Sequence, residues 1–277
     1  WGGVRGGGHP VQEWMIFGSG VAEQYHMRWF ETHLPADGPV RVEALGLSQV
    51  GLSIAGPRSR ELLAKVTAGD VSNAAFPFMA IRRMDIGMAP CIVGRISYTG
   101  DLGYEIWMAP EYQRHVFETL TKAGDEFSLG LFGSRALNAL RLEKNYGSWA
   151  REYRPIYGPL EAGMDRFVAY SKEAAFIGRA EAERQAGGRL RLRAFVMEAE
   201  DADVIGDEPI WHGGAVRGWV TSGGYAHNAG KSIAMGYVPK EIADEPDGFE
   251  IELLGRRHKA RLQPAPLFDA NFERLRG

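Results

Sequence analysis

Tyr98 and Glu105 stand seven residues apart, with Gly100 and Gly103 between them. An aromatic ring beside a carboxylate is what a flat, nitrogen-rich heterocycle requires: a stacking surface and an acceptor for paired N–H donors. The same spacing also describes a surface hairpin whose Glu faces water, and the two residues alone leave both readings open. A second group, Tyr146, Trp149, Arg151, Tyr153, Arg154 and Tyr157, interleaves aromatic rings with guanidinium groups. Such a pattern can stack a planar ring and pair carboxylates, or read single-stranded nucleic acid. No GxSxG, phosphate-binding loop or Cys–His pairing supports nucleophilic catalysis. The histidines are scattered, and the nearest pair, His26 and His33, has no third ligand close by, so no metal is expected.

These groups need a hairpin and a helix to position them. Residues 91–97 alternate and carry β-branched side chains, which predicts a half-buried strand. Thr99–Gly100–Asp101–Leu102–Gly103 supplies a sharp turn, and residues 104–108 resume as a strand, placing Tyr98 and Glu105 on neighbouring strands. Upstream, residues 13–17 read as a buried strand, 22–33 as a helix, and 40–45 and 51–55 as two further strands. Pro57 fits a first helical position before Leu62, Leu63 and Val66. Downstream, residues 111–122 read as an amphipathic helix with Val116, Phe117 and Leu120 on one face. A helix opens at Ser134 as N-cap and runs to Glu143, with Arg141 and Glu143 as a surface pair and Arg135 in the first turn. From about Leu190 the chain reads as short strands separated by Gly and Asp turns, a small barrel-like domain.

The net charge is −3 over 277 residues, leaving no basic excess to neutralise phosphates, so nucleic acid is not expected as the main partner. An anionic small molecule remains compatible through a local Arg cluster. Cys91 is the one cysteine, which excludes an internal disulfide and fits a reducing compartment. No apolar run reaches the roughly 20 residues needed to span a bilayer. The start, residues 1–10, is glycine-rich and polar, without the features of a signal peptide, and suggests a truncated terminus. A cytoplasmic location and no membrane partner are the expectations.

Residues 95–107 (RISYTGDLGYEIW) resemble the YTG(E/D)xGYE segment of the folate-binding aminomethyltransferase family. That family includes the glycine-cleavage T-protein and the C-terminal halves of dimethylglycine and sarcosine dehydrogenases. Three further blocks follow in family order. Residues 56–57 fall at its QGP or SGP element. Residues 133–143 resemble its GxxARDxLRLE helix, with the ALNALRLEK form of the dimethylglycine-dehydrogenase branch at 136–144. Residues 216–224 and 233–239 resemble its GxVTSG…IAMGYV signature. The ordered match covers residues 17–267 and is more specific than any single block.

The resemblance implies an α+β fold: mixed sheets with packed helices forming a folate-binding region at 1–185, then an all-β barrel-like domain at 186–277. It implies tetrahydrofolate as cofactor, with Glu105 on the pterin 2-amino and N3–H groups, Tyr98 and Trp149 against the ring, and Arg135 toward the folate tail. The implied chemistry is one-carbon transfer from a methylated amine such as dimethylglycine or sarcosine, or aminomethyl transfer of the glycine-cleavage type, giving 5,10-methylenetetrahydrofolate. The alternatives are a folate-dependent demethylase of another methylated substrate, or a non-catalytic folate-binding module working with an amine-oxidising flavoprotein or carrier protein. The flavin-bearing half of the dehydrogenases has no counterpart here, so no flavin is expected. The family also carries a GGxxxD element whose Asp assists chemistry at the folate. No Asp stands in the corresponding residues 1–8, so the catalytic residues are not assigned.

Overall fold

A computed structural model describes residues 3–5, 12–38 and 40–277. The glycine-rich start read from the sequence therefore lies largely outside the described residues. The chain forms two compact units: residues 1–97, 101–130 and 274–277 in the first, and 98–100 with 131–273 in the second.

In the first unit, strand β1 (Gly3–Arg5) pairs antiparallel with β2 (Gln12–Trp14), and helix α1 (Glu23–His33) follows. The structural core is a four-stranded antiparallel sheet in the order β3 (Val50–Ala55), β6 (Gly103–Met108), β5 (Ala89–Gly94), β4 (Ile81–Ile86). Strict alternation decides which residues go inside. Ile54, Tyr104, Ile106, Met108, Cys91 and Val93 turn to one face and are buried. Against them pack Leu62, Leu63 and Val66 of α2 (Ser59–Val66) and Val116 and Leu120 of α3 (Gln113–Gly124), each at helical spacing.

Several local expectations change. The strand expected over 91–97 ends at Gly94. Beyond it, the Arg95 N–H donates to the Ala80 carbonyl and the Met79 N–H to the Arg95 carbonyl, so this backbone pairs with the 79–80 turn instead of β6. Residues 40–45 form no strand, and Val40 and Leu45 stay exposed. In 13–17 the strand stops at Trp14, and Trp14 and Ile16 are exposed rather than buried. Pro57 lies in the turn before α2, whose cap position is Arg58. Phe117 stays partly exposed on α3, off the face that carries Val116 and Leu120.

The second unit contains α4 (Ser134–Glu143), α5 (Arg179–Arg184) and six strands: β7 (Leu190–Met197), β8 (Pro209–His212), β9 (Ala215–Ala226), β10 (Lys231–Pro239), β11 (Phe249–Leu253) and β12 (Arg256–Gln263). They close into an antiparallel barrel in the order β10-β7-β12-β11-β8-β9, filled by Phe195, Ile210, Val220, Phe249 and Ile251. Two signature glycines are explained by close approach. A Cβ on Gly218 would stand 2.1 Å from the Tyr237 carbonyl oxygen, and one on Gly223 2.1 Å from Val204 Cγ2. The cap of α4 is Gly133, with Ser134 already helical, and Leu142 of this helix packs with Ala194, Ala226, Ile233 and Met235 on the barrel wall. The expected α+β architecture with a C-terminal barrel is the architecture observed.

Candidate functional site

Glu105 lies on β6 and points away from the core, because Tyr104 and Ile106 on either side of it face inward. Its cross-strand neighbours are Ser53 on β3 and Gly94 on β5. The carboxylate is half-buried, and among the described residues no donor or cation is bonded to it. Burial alone pushes its pKa above the ordinary glutamate range, with no charged neighbour acting on it. A partly desolvated carboxylate without a donor among the described residues has both oxygens open to accept hydrogen bonds.

Trp107 shares this face, two residues along the strand. Gly51 and Gly94 lie beneath its ring: a Cβ on Gly51 would stand 3.3 Å from Trp107 Cδ1, and one on Gly94 3.0 Å from Cζ3. Phe17 covers the indole at 4.1 Å between ring centroids, tilted by 31°. At one end of the sheet a cleft of about 410 Å³ is walled by Arg83, Ile92, Trp107 and Tyr112, among others. Glu105 does not line it; Trp107, next to Glu105 in this face's row on β6, does, together with Ile92 and Pro90 of β5.

Tyr98 is not on a strand. It sits in the turn after β5, so the expected placement of Tyr98 and Glu105 on adjoining strands does not hold; Glu105 instead faces Gly94 and Ser53. Tyr98 groups with the second unit, where its hydroxyl donates to the Gly147 carbonyl at 2.8 Å and its ring lies nearly parallel to Tyr146. Burial pushes the Tyr98 phenol up to about 12. The Gly147 N–H donates to the Tyr153 hydroxyl oxygen at 3.1 Å, and the Ser148 N–H to Glu152 Oε2 at 2.8 Å. Trp149 therefore follows immediately on a loop pinned from three sides. Arg135 is exposed in the first turn of α4.

Arg141, which fixes this loop, and Glu143, on the same helix, are residues the sequence reading placed on the surface. Arg141 and Glu143 are 2% and 1% exposed and do not pair with each other. Arg141 donates to Asn138 Oδ1, to the Tyr146 carbonyl and, at 3.0 Å, to Glu152 Oε2. Both Glu143 oxygens accept from Asn228, through its backbone N–H and its side-chain amide. Glu152, fully buried, was not singled out in the sequence. The available signal was a lone Glu set among the aromatic residues 146–157, where a buried cation nearby is required.

The chain matches two family models: the GCVT N-terminal domain over residues 10–172 and the glycine cleavage T-protein C-terminal barrel domain over residues 191–269. It belongs to the glycine cleavage T-protein family. Within it, the chain is 37% identical over 261 residues to the mitochondrial dimethylglycine dehydrogenase of Mus musculus, covering 93% of this chain and 30% of that protein. The match to an aminomethyltransferase of Symbiobacterium thermophilum is 30% identical over 268 residues and covers 94% of this chain and 70% of that protein. The crystal structure of the glycine cleavage system aminomethyltransferase T from Bartonella henselae superposes with a TM-score of 0.69 at 22% identity, over 80% of this chain and 60% of that one, and shows the shared fold. The chain spans about 30% of the length of the dimethylglycine dehydrogenase.

Proposed function

We propose that this chain binds tetrahydrofolate and takes part in moving a one-carbon unit from a methylated amine, such as dimethylglycine or sarcosine, onto it, giving 5,10-methylenetetrahydrofolate. The observation that carries the reading is Glu105: half-buried, raised in pKa by desolvation, and without a protein donor among the described residues. A pterin offers two adjacent N–H donors, the 2-amino group and N3–H, and a carboxylate accepts both at once. The acceptor chemistry of the site therefore fits the group. Tetrahydrofolate, when bound, supplies the amine nitrogen that accepts the carbon. Glu105 orients the pterin. Tyr98, Trp149 and Arg135 enter as folate-contacting residues through the family resemblance. With its hydroxyl donated to Gly147, Tyr98 has its ring to offer. These roles are binding roles, and no residue is assigned to proton transfer.

The share of the dimethylglycine dehydrogenase that the chain spans supports a division of labour in which amine oxidation belongs to a flavoprotein partner or another part of a longer protein. The test is calorimetric titration with 5-formyltetrahydrofolate. Wild type binds, and Glu105→Gln weakens binding by about 1.5–3 kcal/mol, the worth of a hydrogen bond to a charged group, or roughly 10- to 150-fold. Absence of wild-type binding would refute the folate reading. Equal binding by both proteins would remove Glu105 from it.

A further inference from the structure

The face of the sheet that carries Glu105 is built almost without bulk or charge near the carboxylate. From β3 it presents Gly51, Ser53 and Ala55; from β5, Pro90, Ile92 and Gly94; from β6, Gly103, Glu105 and Trp107. No titratable side chain from β3 or β5 stands beside Glu105. Arg83 and Asp85 lie one strand further out on β4, opposite Ile92 and Pro90. In the segment that carries Phe17, the His26 ring lies against Gly18.

Trp107 is the large group on this face, and the glycines determine where its ring goes. Its pyrrole edge lies over Gly51, opposite it on β3, and its benzo edge lies over Gly94. Gly94 is the direct cross-strand partner of Glu105. The indole thus reaches diagonally from its own row into the row of the carboxylate, a reach that long aromatic side chains have across a pleated sheet. Any side chain at 94 would occupy that ground, since even a methyl group there meets Cζ3 and Cη2 at 3.0 and 3.1 Å. Phe17 closes over the indole.

We propose that Trp107, laid across Gly94 by this glycine floor, is the positioning residue for Glu105: it excludes water from one flank of the carboxylate and leaves the opposite side for a flat donor. The action of Trp107 on Glu105 follows from the sheet; the identity of the donor as a folate pterin rests on the reading above. The raised pKa of Glu105, caused by desolvation alone, agrees with an apolar flank.

The experiment is a ¹³C NMR titration of the Glu105 carboxyl in the ligand-free 277-residue chain, assigned with Glu105→Gln, alongside titration with 5-formyltetrahydrofolate. In Trp107→Leu the midpoint falls toward the ordinary glutamate value, and folate binds roughly three- to tenfold more weakly. Gly94→Ala keeps the indole but displaces it, and moves the midpoint in the same direction; it serves as the test if Trp107→Leu does not fold. A midpoint that stays at the wild-type value in both variants overturns the inference, whatever happens to binding. A midpoint that moves while wild type binds no folate supports the role of Trp107 and refutes the folate reading, so the two failures are distinct.

Discussion

Removal of the Arg141 guanidinium is the sharpest test of how the second unit holds its aromatic loop. The side chain is 2% exposed, and Glu152 opposite it is fully buried. Arg141 satisfies Asn138, the Tyr146 carbonyl and Glu152 Oε2 together. In Arg141→Met the Glu152 carboxylate keeps only the Ser148 N–H, on Oε2, because Oε1 already lacks a hydrogen-bond partner. A buried charge stripped of its partner costs about 3–5 kcal/mol, far above the median surface ion pair at about 0–1 kcal/mol. The double variant Arg141→Met/Glu152→Gln has no uncompensated charge, so it should recover a substantial part of that loss and show a coupling of about 1–3 kcal/mol. Urea denaturation followed by circular dichroism gives the free energies, and the fluorescence difference against a Trp149→Phe variant reports the loop. A single variant costing less than about 1 kcal/mol, or single effects that simply add, would refute the claim that this pair is a buried clamp.

Two further outcomes are expected. Glu105→Gln should stabilise the ligand-free protein at neutral pH while weakening its affinity for folate by roughly 10- to 150-fold. The folded state raises the Glu105 pKa, so its favourable contribution is complete below the ordinary glutamate value and lost as pH rises through the folded value. Thermal melts at pH 4 to 8 should show the variant gaining on wild type as pH increases, and a constant difference would contradict this. Lys144→Met should cost about 3–5 kcal/mol, since Lys144 is 1% exposed, pairs with Asp269 at 2.9 Å and lies 4.2 Å above the Phe272 ring. Hydrogen exchange over residues 264–273 should rise first, and unchanged exchange there would argue against a latch on this segment.

The architecture was legible because it rests on periodicity. Alternation at 104–108 put Tyr104, Ile106 and Met108 inward and Glu105 outward. The spaced glycines after Leu190 announced short strands, and the barrel uses Gly218 where a Cβ would strike neighbouring β10 and Gly223 where one would strike Val204 in the loop before β8. What failed was local and had tertiary causes. The expected strand over 91–97 was cut at Gly94 because Arg95 pairs with the 79–80 turn, a competitor invisible in a linear pattern. Tyr98 falls in a turn for the same reason. Arg141 and Glu143 looked like a surface pair because charged residues on a helix usually are; their partners, Glu152 and Asn228, lie 11 and 85 residues away.

These corrections sort the buried and half-buried carboxylates by what they do. Glu143 accepts two hydrogen bonds from Asn228, Glu152 accepts from Arg141 and Ser148, and Asp269 holds Lys144. Each is costly to bury and has been given donors, which is how a charge acts as a structural element. Glu105 has none among the described residues, and Trp107 lies beside its row where a donor could have stood. A carboxylate arranged in that way destabilises the ligand-free fold. If the chain were a scaffold alone, replacing Glu105 by Gln would bring a gain in stability and no loss of any kind. The folate reading predicts the same gain accompanied by weakened binding, so stability and calorimetry measured on one variant separate a scaffold from a folate site.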